Sequence, residues 1–430
     1  MDTSMTVEQQ LKYWRKRVFI SLWFTYASFY LCRVNMSVAL PGIMEEFGIS
    51  KTSMGWVLTA IFFAYAIGQF INGQLGDKVG ARKLISLGVL ASAGLNVLFA
   101  FLPGIVTLML IVWGLNGYFQ SMGWSPSVKT MANWFPLKTR GKISGLFGSC
   151  YQFGNAASWA LAGFVIGALG WRWGFWIPAI VFAIMGAQWF INGRNAPEEV
   201  GLPTIEEESE GIMDQVGKHR KDEHLGFMFT MKTVTTDPHI WIVALSLFGL
   251  NMIRYGFMDW APTYMFEVEG AKISHAAYKA IAMPLAGSLG ALFAGWSSDR
   301  FFQSRRAPIM VIMLFCLSVS SFVYPNLAQF HWVYSLMCLM AIGFFIYGPH
   351  VMICATISMD YGSRKAAAST AGFIDGFGYF GASITGVLSG YLIDNISWNA
   401  AFWLWIGGAL LAMVLMSFLW NYKPRKGKYH

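Results

Sequence analysis

Residues 251–264 read NMIRYGFMDWAPTY, inside an apolar segment running from about residue 240 to 266. About 20 apolar residues suffice to cross a bilayer, so Arg254 falls in the middle of a stretch long enough to do so. A charge at that depth costs at least roughly 2.5 kcal/mol even on the lowest insertion scale, and such residues face a partner or a cavity rather than lipid. Arg33, in YLCRVNMSVALP, occupies the same kind of position in the first long apolar segment. No other basic residue falls so far from a helix end. The pair is expected to clamp an anion in a central cavity.

The rest of the chain has the composition this reading requires. Of 430 residues, 56% are hydrophobic and only 12% charged, and the mean hydropathy is +0.48. The apolar residues come in blocks of about 20 rather than at amphipathic spacing, which marks a polytopic membrane protein. The fold class expected is all-α, with twelve transmembrane helices in two pseudo-symmetric six-helix bundles. The blocks predict helices at about 18–43, 53–75, 84–102, 104–128, 143–168, 172–192, 240–266, 275–297, 308–325, 331–357, 366–393 and 398–420. Prolines 126, 284 and 349 are expected to kink their helices. A net charge of +9 does not point to nucleic acid, because the basic residues cluster between apolar blocks, where they set topology. Lys51, Arg172, Lys272 and Lys279 fall on one side, Arg33 and Arg254 within spans, and the rest of the 31 lysines and arginines on the other. Both termini are therefore expected in the cytoplasm, with the protein in a plasma membrane, the inner membrane of a bacterium.

A polar stretch divides six blocks from six. It gives an expected organisation of residues 1–193 as one bundle, 194–238 as a cytoplasmic linker and 239–430 as a second bundle. Its acidic part, EEVGLPTIEEESE, and basic part, GKHRKDEH, bury little apolar surface and read as a tether. The halves echo one another, as parallel repeats in transporters do. Arg33 and Arg254 stand 221 positions apart, Asp77 and Asp299 222, and WRWGFW at 171–176 precedes WNAAFW at 398–403 by 227.

The loops GQLGDKVGARK and GWSSDRFFQSRR resemble the signature loop of the major facilitator superfamily. Asp77, Arg82, Asp299 and Arg300 are the candidate gating charges. YLCRVN, GWSPSVKTMANWFPLKTRGKISG, PEEVGLP and above all IRYGFMDWAPTY resemble one branch of that superfamily over nearly the whole chain: the organophosphate:phosphate antiporters, which include glycerol-3-phosphate and hexose-phosphate transporters and a related sensor. The resemblance implies that Arg33 and Arg254 bind phosphate, with Tyr30, Tyr255 and Trp124 as neighbours. The chain departs from the family pattern at Gln69, where phosphate antiporters carry a lysine, at Gln152, where they carry a histidine, and at Pro284, where they carry an acid.

Gln69 and Gln152 are candidate substrate ligands, and Asn116, Gln120 and Asn251 further cavity-lining polar groups. Asp375 and His350 are candidate coupling residues; the alternative for each is a role satisfied by hydrogen bonds to a neighbouring helix. For the arginines the competing reading is a structural ion pair with Asp375 or Asp259. The five cysteines lack metal-site or disulfide spacing and read as packing residues. No catalytic constellation, metal site or cofactor motif is present, so an enzyme is not expected. The expected function is secondary active transport of an organic phosphate or similar small organic anion by alternating access, with inorganic phosphate or a proton as counter-substrate or coupling ion. The alternatives are a membrane sensor of a phosphorylated metabolite and a proton-coupled organic-anion symporter.

Overall fold

The computed structural model describes residues 6–204, 235–303, 305–357 and 367–421. The central part of the expected linker, residues 205–234, and Arg364 lie outside the described residues, as does the side chain of Asp77. The fold is the twelve-helix membrane architecture the apolar blocks predict, with no strand among the described residues. Eight spans contain described helices long and apolar enough to cross a bilayer.

Helix ends follow local sequence. Ser50 opens the second span (Lys51–Val79) by accepting the Ser53 N–H. Asp237 opens the seventh (Pro238–Glu267), with Pro238 at a position where its missing N–H costs nothing. Ser397 caps the twelfth (Trp398–Ser417) by accepting from Ala400. The second span passes into the third (Ala81–Ala100) through one residue, Gly80, at φ +85°, a backbone angle that side chains rarely tolerate.

Four spans depart from the simple helices expected. The first runs as Val7–Ser28, tightens into a 3₁₀ turn at Phe29–Cys32, and resumes at Asn35–Phe47. The fourth breaks at 121–123, between Val106–Gln120 and Trp124–Trp134. Pro126 therefore sits in the first turn after a break rather than at a kink. The eighth consists of Ile273–Ala280 and Ala282–Phe301, parted at Ile281 three residues before Pro284. The tenth (Trp332–Val351) widens into a π-helix over Met352–Ile357 just past Pro349, a distortion found often at functional sites.

The break in the first span has an identifiable cause. In a bilayer every released carbonyl needs an internal donor. The Cys32 carbonyl accepts from the side-chain amides of Asn96 (3.3 Å), Asn116 (3.0 Å) and Gln120 (3.3 Å), and the Phe29 carbonyl from Gln120 (3.1 Å). Three amides from the third and fourth spans thus take the place of helix bonds. Asn116 and Gln120 are framework residues, where the sequence suggested lining.

The remaining spans are the fifth (Leu137–Leu169), sixth (Trp173–Asn192), ninth (Arg306–Leu327) and eleventh (Ala367–Asn395). Across the middle of the molecule, the second span packs along the eleventh, the fifth against the eighth and the first against the seventh. These contacts tighten at the end opposite the chain termini. A Cβ on Gly55 would lie 2.5 Å from the Gly386 carbonyl oxygen, and one on Gly390 2.2 Å from that of Lys51. Small residues permit this approach. Asp394 completes it by accepting from the Lys51 N–H (3.3 Å), the Thr52 N–H (2.6 Å) and the Thr52 hydroxyl (2.7 Å). The carboxylate on the eleventh span caps the positive end of the second. Lys51 Nζ meets Glu267 at 3.1 Å beside it, and deeper in, the Thr59 hydroxyl donates to the Ser383 carbonyl.

Candidate functional site

Arg33 lies where the first span leaves its 3₁₀ turn, at φ −126° and ψ −50°. Its Nε donates to Gln120 Oε1 at 3.0 Å, so the amide that holds the broken backbone also aims the guanidinium. The cation sits over the rings of Tyr30 (5.1 Å) and Tyr65 (4.7 Å), an arrangement that offsets part of its desolvation. Only 6% of the residue is exposed, and both terminal nitrogens are buried without a hydrogen-bond partner. Two unmet charged donors are costly in a poorly solvated interior.

Arg254, 3% exposed, is held differently. One terminal nitrogen donates to the Tyr255 hydroxyl (3.3 Å) and meets His350 Nε2 (3.1 Å), and the guanidinium lies over Tyr255 (4.8 Å) and Tyr347 (5.4 Å). Because a guanidinium only donates, this contact requires His350 Nε2 to accept, which assigns the proton of the neutral ring to Nδ1. That Nδ1 is buried and unpartnered. Histidine here offers a further donor next to the arginine. Beyond it the Cys354 thiol lies 3.7 Å from His350 Nε2 and donates to Asp375 Oδ1 at 3.7 Å, so a polar chain runs from Arg254 through His350 and Cys354 to Asp375.

The two arginines belong to one constellation. Tyr30 and Tyr379 lie within electrostatic reach of both; the rings of Tyr65 and Tyr379 (4.5 Å) and of Phe62 and Tyr255 (4.3 Å) join the halves, and Tyr255 and Tyr379 lie 6.0 Å apart within the second. Among the described residues, neither guanidinium has a carboxylate within ion-pair distance. Asp375 and Asp259 feel the charge of Arg254 without touching it. The structural ion-pair reading fails on this geometry.

Other expected residues divide. Tyr30 and Tyr255 stand against the arginines as anticipated. Trp124 packs on Tyr26 (5.2 Å) and Phe147 (6.1 Å) and belongs to a layer behind Tyr26. Gln69 accepts from the Ser125 hydroxyl at 3.0 Å and leaves its Nε2 buried and free, Gln152 leaves Oε1 so, and Asn251 its Oδ1. Asp299 pairs with Arg306 at 2.8 Å rather than with Arg300. Arg82 donates its Nε to the Phe190 carbonyl at 2.6 Å. The sequence reading missed Tyr65, Tyr347, Tyr379 and Cys354, although helical spacing pointed to them: each lies three or four positions from Gln69, His350 or Asp375.

Comparison with known proteins agrees with this architecture. Residues 22–384 match the Major Facilitator Superfamily model. The chain is 33% identical to the glycerol-3-phosphate transporter of Bacillus subtilis (strain 168), with 95% of this chain and 92% of the relative covered. It is 28% identical to a probable hexose phosphate transport protein of Chlamydia trachomatis serovar D, with 99% and 95% covered. It is also 27% identical to the membrane sensor protein UhpC of Escherichia coli (strain K12), with 99% and 97% covered. Among solved structures, a bacterial homolog of the human lysosomal transporter Spinster superposes with a TM-score of 0.73 at 14% identity, covering 95% and 96%. A D-xylose-proton symporter gives 0.71 at 16%, covering 94% and 98%. The fold, the matched length and the identity to these relatives agree: this chain is a multi-pass membrane protein of the Major Facilitator Superfamily, related to glycerol-3-phosphate and hexose phosphate transporters, and not an enzyme.

Proposed function

We propose that the protein is a secondary active transporter of an organic phosphate or similar small organic anion, with Arg33 and Arg254 as the two halves of the anion site. One observation carries the proposal: two buried guanidiniums, one from each half of the chain, share a tyrosine-lined region, hold unmet donors and have no carboxylate partner among the described residues. A phosphate dianion matches that charge, and the planar fork of arginine meets phosphate oxygens in pairs. Gln69, Gln152 and the Nδ1 of His350 supply further hydrogen-bonding positions. Residues 1–193 and 239–430 act as the moving bodies and 194–238 as their tether. Rocking exposes the site to either side in turn. The end that carries Lys51 and Asp394 faces outward and the termini face the cytoplasm of a bacterial cell.

Counterflow in proteoliposomes tests the activity: vesicles loaded with an unlabelled organic phosphate accumulate the labelled one. Binding without flux rejects transport and favours the sensor reading, which the similarity to UhpC supports specifically. Topology is tested in a cysteine-free background. An impermeant reagent applied outside labels a cysteine at position 274 and spares one at 209; the reverse overturns the orientation.

Coupling separates on Asp375. If a proton drives uptake, Asp375→Asn abolishes gradient-driven accumulation and leaves substrate binding within about threefold, because the carboxylate touches Cys354 rather than either arginine. Phosphate exchange as the coupling mode leaves counterflow in this variant intact. Unchanged pH-driven accumulation assigns Asp375 a structural role.

A further inference from the structure

At the end of the bundle that bears the termini, a cavity of about 310 Å³ opens between the second, third and sixth spans, lined by Val79, Arg82, Lys83, Arg194, Asn195 and Glu199. Of the six described residues that line it, three are cations and one is an acid. Glu199 accepts from both the backbone and side-chain N–H groups of Asn195, which hold it in place, and its charge opposes the cations in part. Asn195 in turn accepts the Arg82 N–H at 2.8 Å, which fixes the first turn of the third span against the end of the sixth. Among the described residues, Arg82 donates its Nε to the Phe190 carbonyl and lies over that ring at 4.8 Å. Arg194 uses one terminal nitrogen on the Ile191 (2.9 Å) and Gly193 (2.7 Å) carbonyls. Lys83 is exposed. Arg17 stands behind, bonded to Asn192 at 2.5 Å. Burial first, then the charges of Arg82 and Arg17, hold the Arg194 guanidinium below its usual value.

The surroundings indicate what such a pocket would take. Val79, Phe190 and Ile191 are 42%, 48% and 63% exposed at the edge of the membrane-spanning belt, so the cavity has one basic wall and one apolar flank. A free phosphate uses only the first. A membrane lipid uses both, and basic pockets between helices at the cytoplasmic side are suited to anionic head groups.

We propose that this pocket holds the phosphate of an anionic phospholipid, with Arg82, Lys83 and Arg194 around the phosphate and Phe190 and Ile191 against the acyl chains. The site is separate from the arginine pair and does not depend on the transport reading. Native mass spectrometry of the full chain, released from micelles with phosphatidylglycerol or phosphatidylcholine, counts retained lipid. Phosphatidylglycerol should be retained about tenfold more strongly. One basic residue near a membrane surface contributes about 1 kcal/mol, or about fivefold. Lys83→Gln should lower retention by about that factor, and Glu199→Gln, which removes the opposing charge, should raise it. Equal retention of the two lipids, or indifference to both substitutions, overturns the site. Displacement of phosphatidylglycerol by millimolar inorganic phosphate assigns the pocket to a soluble phosphate and overturns the lipid proposal.

Discussion

Arg254→Lys should insert and fold normally yet bind organic phosphate at least a hundredfold more weakly. The charge is kept, so loss of Coulomb attraction is not the cause. The ammonium has no planar fork: in arginine one terminal nitrogen meets the Tyr255 hydroxyl and His350 Nε2 while Nε stays unpartnered for a phosphate oxygen, and a single lysine nitrogen cannot present donors at both places. Two charge-assisted hydrogen bonds are worth about 3 kcal/mol together, which is more than a hundredfold in affinity. Arg33→Lys should behave alike, since both terminal nitrogens of Arg33 are unmet. Equilibrium binding of labelled substrate to purified protein measures the loss, and a change of less than threefold rejects bidentate recognition. A second readout separates binding from support. A cation buried without a carboxylate costs the folded state free energy, so Arg33→Gln should melt at or above the temperature of the unsubstituted protein while failing to bind. A drop of several degrees would mean that Arg33 holds the fold together.

Gly390→Val and Gly290→Val should fail in opposite ways, although the clash is similar. A Cβ on Gly290 would lie 2.0 Å from the Phe344 carbonyl oxygen, between the eighth and tenth spans of the same half. Neither backbone can yield there, so this variant should not accumulate as folded protein. At Gly390 the obstructed atom is the Lys51 carbonyl oxygen, 2.2 Å away on the other half. Each half can still form. What the valine forbids is closure at the end bearing Asp394 and Lys51. The protein should therefore purify as a single species, show no counterflow, and leave a cysteine at position 59 open to a hydrophilic thiol reagent. Asp394→Ala is the mild version, because a lost cap costs about 1 kcal/mol. It should shift the closed population by about fivefold without abolishing flux. Normal counterflow by Gly390→Val would show that this contact is not part of the cycle.

The features legible in the sequence were those with a large energetic cost. Apolar blocks of about 20 residues mark the spans because a helix of that length must be apolar to cross a bilayer, and Arg33 and Arg254 stand out because a charge in hydrocarbon must be explained. The break at Phe29–Cys32 was not legible. FYLC contains neither glycine nor proline, and the turn depends on amides that lie far along the chain. The tyrosines were hidden for another reason: a ring with a polar tip is equally at home in packing, at the membrane edge or against a cation, and the chain has 17 of them. Cys354 reads as a packing residue because its partners, His350 and Asp375, come together only in the fold.

The donors that occupy the Phe29 and Cys32 carbonyls stand 64 to 91 positions downstream of the groups they serve. When the first span enters the membrane during synthesis, those amides do not yet exist. Its carbonyls must then be satisfied within the segment itself, which a continuous helix alone provides. The local unwinding therefore comes later, once the fourth span has been delivered alongside, and Arg33 takes up its orientation only at that point. The setting of Arg33 is thus a product of assembly rather than of insertion, and a chain halted before Gln120 would span the bilayer without it.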